Sequence, residues 1–86
     1  MTAFPADPAE QLRIEKEQLL KAGKDIEAGW RRLRDQQQLL SNLQAAGRDS
    51  RQAERLVSLL QQTLVEWERH RVLIEDRVGY LERQAS

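Results

Sequence analysis

"AAGRDSRQ", residues 45–52, is the one strong interruption in a chain that otherwise favours helix. Gly47 suits the left-handed position just past a helix C-terminus, because it has no Cβ to clash there. Asp49 or Ser50 can cap the helix that follows, and Gln52 stands three residues after Asp49. Upstream, "DPAE" at residues 7–10 reads as a helix start. Asp7 is the N-cap, Pro8 fits the first helical position and Glu10 completes a capping box. No proline follows Pro8. The expectation is two helices, about 8–46 and about 50–84, joined by a turn at 47–49. So short a connection forces the helices antiparallel. Neither strand alternation nor a βαβ pattern occurs, so the fold class is all-α. The expectation is that residues 7–86 form one antiparallel, coiled-coil-like helical hairpin, preceded by a flexible arm at 1–6. Phe4 in that arm is a candidate staple on the helix start, or a short docking element.

Periodicity assigns the seam. In the second helix Ala53, Val57, Leu60, Leu64, Trp67, Arg71, Ile74, Val78 and Leu81 alternate spacings of four and three, with Arg71 the one polar entry. In the first, Leu12, Leu19, Ile26, Leu33 and Leu40 recur every seven residues. The companion column, four residues on, is read as Lys16, Gly23, Trp30, Gln37 and Gln44. Folding the chain about residues 48–49 sets Leu40 against Val57, Leu33 against Leu64, Leu19 against Val78 and Ile26 against Arg71. The same folding sets Leu60 against Gln37, Ile74 against Gly23, Leu81 against Lys16 and Trp67 against Trp30. Half of the second helix's apolar seam then lacks an apolar partner.

Further apolar side chains widen both faces: Leu56, Leu59, Thr63, Leu73 and Tyr80 on the second helix, Leu20, Leu39 and Leu43 on the first. Two helices cannot bury such faces, whereas four can. A chain of 86 residues is also marginal as a lone core. The expected assembly is a homodimer of hairpins forming a four-helix bundle, with a different helical protein as the other way to cover the surplus.

Individual residues sharpen this picture. Trp30 and Trp67 are expected to form a central aromatic layer. Gly23 and Gly29 cost helix propensity, roughly 1 kcal/mol each, and are read as room made for large side chains at that layer. Arg71 reads as a snorkelling arginine, or as a register device paired with Asp25, Glu27 or Glu75. His70 is the single histidine, with Glu66 four residues before it. That spacing and the lack of a second ligand set make a metal site unexpected, and no cofactor is implied. No nucleophile–histidine–acid constellation stands out, so an enzyme is not expected.

Composition bounds the rest. Fourteen basic and fourteen acidic side chains leave no net charge, hence no global attraction for nucleic acid or anionic membrane. Cysteine is absent, which removes disulfides and thiolate chemistry. No run approaches the ~20 apolar residues of a membrane span, and no signal-peptide core follows Met1, so a cytoplasmic protein is expected. The densest basic stretch is "RRLR", residues 31–34. Arg31, Arg32 and Arg34 read as a solvated, salt-bridging face, or as a phosphate-contacting patch doubled by dimer symmetry.

The resulting expectation is a non-enzymatic protein-protein interaction module, a small adaptor, scaffold or chaperone-like protein. It self-associates or offers an apolar groove to a partner helix. Leu56, Leu59, Leu73 and Tyr80 would supply the extra contact surface. Leu19, Ile26, Leu33, Leu40, Leu60, Leu64, Ile74, Val78 and Leu81 would form the bundle core, centred by Trp30, Trp67 and Arg71. In size and helical content the chain resembles small cytoplasmic chaperones of secretion systems. In architecture it resembles the hairpin dimers of the Rop type, which bind RNA. That second resemblance implies nucleic-acid binding through Arg31, Arg32 and Arg34 as the alternative.

Overall fold

The computed structural model describes residues 7–85. The expected arm at 1–6, with Phe4, lies outside the described residues. Two helices make up the fold: α1, Pro8–Ala45, and α2, Arg51–Ala85, packed against each other as a hairpin. At 1.5 Å per residue the 38 residues of α1 make a rod about 57 Å long.

Local chemistry explains each end. Asp7 has extended backbone angles and its Oδ1 accepts the Glu10 backbone N–H at 2.9 Å. Pro8 opens the first turn, where its missing N–H costs nothing. α1 stops one residue earlier than expected, because Ala46 is the cap and Gly47 takes φ +67°. The Arg48 N–H bonds the Leu43 carbonyl at 2.9 Å and the Gly47 N–H bonds that of Gln44 at 3.1 Å. This paired arrangement is a Schellman motif, which satisfies carbonyls the helix end would otherwise orphan.

α2 begins at Arg51, with Ser50 in the N-cap position: its carbonyl accepts the Glu54 N–H at 2.9 Å. Ser50 Oγ donates to Glu54 Oε1 at 3.2 Å, and Gln44 Nε2 reaches the same oxygen from α1 at 3.5 Å. Asp49 Oδ1 accepts the Arg51 N–H at 3.1 Å, and its other oxygen lies 2.9 Å from the Arg51 guanidinium. These two hydrogen bonds, the side-chain one foremost, hold the Asp49 carboxyl below the usual carboxylate range.

The seam of α2 follows the spacing expected of it. Ala53, Val57, Leu64, Ile74, Val78 and Leu81 are buried, and Leu60 and Arg71 are half-buried. In α1 the leucine column also faces inward: Ile26 and Leu33 are buried, and Leu12, Leu19 and Leu40 half-buried. Ile26, Leu33, Val57 and Leu64 form the central cluster, with Leu40 and Leu60 packed on it.

The companion column of α1 is a correction. It falls three residues after the leucines, at Glu15, Ala22, Gly29, Gln36 and Leu43, all buried or half-buried. The column expected four residues on is turned outward: Lys16, Trp30, Gln37 and Gln44 are exposed. A spacing of three after one seam residue and four before the next keeps the stripe on one face, and so does its mirror. Packing decides between them. A Cβ on Gly29 would lie 2.8 Å from Leu64 Cδ2 and 3.2 Å from Trp67 Cζ3, so α2 sits directly on that glycine.

Candidate interaction surface

Trp30 and Trp67 do not form a shared layer. Trp67 lies over Gly29 and borders a groove with Gln18, Ala22, Asp25, His70 and Ile74. Trp30, one residue past the seam glycine, stands on the other flank. It lines one groove with Leu33, Leu64, Val65 and Val72, and a second with Leu20, Gly23, Ile26 and Glu27. Both indoles stay substantially exposed, 46% for Trp30 and 36% for Trp67. Gly23 plays no part in hairpin packing, since a Cβ there would meet nothing within 4 Å.

The first Trp30 groove, about 560 Å³, is floored by apolar side chains and edged by Gln37, Gln61, Glu68 and Arg69. The second, about 810 Å³, runs toward the open end of the hairpin. Trp30 is the ridge between them. Val65 and Val72, both exposed, were not singled out by the seam pattern. Their signal is a seven-residue repeat one position past Leu64 and Arg71.

Leu56, Leu59, Leu73 and Tyr80 are exposed, as are Leu20 and Leu39. None of the first four lines the grooves beside Trp30. Tyr80 instead borders a depression at the open end with Ile14, Arg77 and Leu81. The unsatisfied apolar surface is therefore divided between the flank that carries Trp30 and the outer side of α2.

Arg71 finds its carboxylates on its own helix, not on α1. Its guanidinium pairs with Glu68, one turn back, and Nε lies 3.5 Å from Glu75 without hydrogen-bond geometry. Asp25, expected as a partner, is bonded to Lys21 at 3.1 Å. Ion pairing across the seam occurs at the open end, where Arg77 meets Glu15 at 2.9 Å and Lys16 approaches Glu82 at 3.8 Å. The Gln36 side-chain oxygen is buried without a hydrogen-bond partner.

Arg31, Arg32 and Arg34 are exposed, and among the described residues none lies within ion-pair distance of a carboxylate. The expected salt-bridging face is thus a set of unpaired cations. His70 is exposed beside Trp67, and among the described residues no group of three metal-ligating side chains converges. Among the same residues, no helix is long and apolar enough to cross a membrane. Comparison with known proteins finds no matching family model, and no curated protein or solved structure with detectable similarity.

Proposed function

We propose that this chain is a non-enzymatic interaction module that self-associates or binds another helical protein through its exposed apolar flank. The observation that carries this reading is the amount and placement of unburied apolar surface. Leu20, Trp30, Leu59, Val65, Val72 and Leu73 are all exposed on a hairpin whose buried residues are confined to one narrow seam. The chain exposes 6879 Å², against roughly 5,200 Å² for a compact monomer of 10.0 kDa. The excess on this one chain is about twice the roughly 800 Å² that each partner gives to a standard interface. Exposed apolar grooves rimmed by polar residues, such as those beside Trp30, mark association sites. A cytoplasmic adaptor, scaffold or chaperone-like role fits such a module.

Native mass measurement of the protein isolated from its source tests the reading. A homodimer, or a complex with one helical protein, is the expected result. A folded monomer at micromolar concentration, with nothing bound, overturns it.

A second reading rests on the unpaired arginines. Cations without carboxylate partners are free to meet phosphates, and a nucleic-acid binder would use Arg31, Arg32 and Arg34. Its affinity for RNA would fall steeply between about 50 and 200 mM salt. Binding that ignores salt, or survives conversion of all three to glutamine, rules this reading out.

A further inference from the structure

We propose that the flank centred on Trp30 is covered by a second copy of this chain lying antiparallel, with the two-fold axis crossing α1 between Trp30 and Arg31. This names the partner within the interaction reading above and rests on it. Self-association through one flank is isologous: whatever lies a given distance to one side of the axis meets what lies the same distance to the other side. The flank must therefore be complementary to its own reversed copy.

It is so in charge. Glu27 and Arg34 are seven residues apart, hence on one side of α1, and they bracket Trp30. Both are exposed, and neither has an ion-pair partner among the described residues. The midpoint between them falls between Trp30 and Arg31. A two-fold axis there brings Glu27 of each chain to the partner's Arg34, twice per dimer, with the two indoles side by side at the centre. Gly23, one turn before Glu27, leaves open space for the arginine to enter.

It is also so in shape along α2. Val65 and Val72 are likewise seven apart, and their midpoint lies between Glu68 and Arg69. The packing of Gly29 against Leu64 and Trp67 puts the Trp30–Arg31 level within about one helical turn of that midpoint. One axis thus also lays the Val65 and Val72 stretch of α2 along the same stretch of the partner. A parallel arrangement lays α1 on the partner's α2, puts Arg34 at the level of the partner's Val65, and leaves both charges unmatched. Antiparallel stacking is the arrangement that satisfies apolar ridge and charges together.

The chain contains no cysteine, so introduced ones report cleanly. Glu27→Cys and Arg34→Cys, oxidised separately, are expected to remain unlinked, and their mixture to give a disulfide-linked dimer. Glu27→Arg and Arg34→Glu should each weaken dimerisation by roughly tenfold, and the double exchange should restore it. Circular dichroism at exposed positions such as these should be unchanged throughout. A wild-type dimer whose mixed cysteines do not link, or whose double exchange gives no recovery, overturns this geometry while leaving self-association intact. A wild-type chain that stays monomeric in sedimentation overturns it together with the homodimer branch of the interaction reading.

Discussion

Gly29 and Gly23 are both helix-interior glycines, and they should respond to substitution in opposite directions. Gly23→Ala adds a methyl into open space and recovers helix propensity, so it should stabilise by about 1 kcal/mol. Gly29→Ala drives a methyl into Leu64, which is only 2% exposed and has nowhere to retreat. It should forfeit that gain, and Gly29→Leu should cost about 1–3 kcal/mol through overpacking. Thermal unfolding of the three variants checks the order; a stabilised Gly29→Leu would mean that the helices do not touch there. The same glycine hides the second seam column of α1 from the hydrophobic pattern. A residue without a side chain contributes no hydrophobic signal, so a pattern search passes over it to the tryptophan beside it. Asp49 carries a separate, pH-dependent expectation. Its carboxyl is held below the ordinary range by Arg51, so its stabilising effect is complete above the unfolded value and is lost as pH falls through the folded one. Asp49→Asn should lower the melting temperature at neutral pH and make no difference in strong acid.

The two helices were legible almost to the residue, because their ends are decided by short-range chemistry. Asp7, Pro8, Gly47 and Ser50 act on backbone groups within a few positions, and that information is local. The side on which α1 faces α2 was half legible. Its leucine column is unambiguous, but the second column, Glu15, Ala22, Gly29, Gln36 and Leu43, contains one large apolar residue in five. Only contact with α2 selects it. Arg71 lies in the seam as its spacing implies, but of Asp25, Glu27 and Glu75 only Glu75 pairs with it, since its long stem lets the guanidinium turn back to Glu68 and Glu75. Partly exposed pairs of this kind contribute roughly 0–1 kcal/mol. A leucine at the same position would bury more apolar surface, worth about 1.5–3 kcal/mol when complete. Arg71→Leu should therefore raise hairpin stability by about 1 kcal/mol in chemical denaturation. A loss of stability would show that the arginine pairs outweigh seam burial.

In the assembled hairpin, extents of 61 × 30 × 14 Å describe a slab with little interior. That shape follows from one turn and two long helices, and it is why so much apolar surface remains outside. The hairpin was legible because a five-residue connection between helices allows no other packing. Which flank carries the apolar groove was not, since Val65, Val72 and Trp30 come from distant parts of the chain and meet only after folding. The single connection also sets an order in time. Contacts between the helices range from ten residues apart at Gln44–Glu54 to 62 at the Glu15–Arg77 hydrogen bond and further still at the Lys16–Glu82 ion pair. Closing the widest loop first is entropically dearest, whereas each contact made beyond an existing one closes only a short loop. The hairpin should therefore zip from Gly47 outward, and its open end should form last. Gly47→Ala, which forces an L-residue into a left-handed conformation at about 1–2 kcal/mol, should chiefly slow folding in stopped-flow measurements. Leu81→Ala should instead leave the folding rate nearly intact and hasten unfolding. The turn that reverses the chain is, on this account, also where its folding starts.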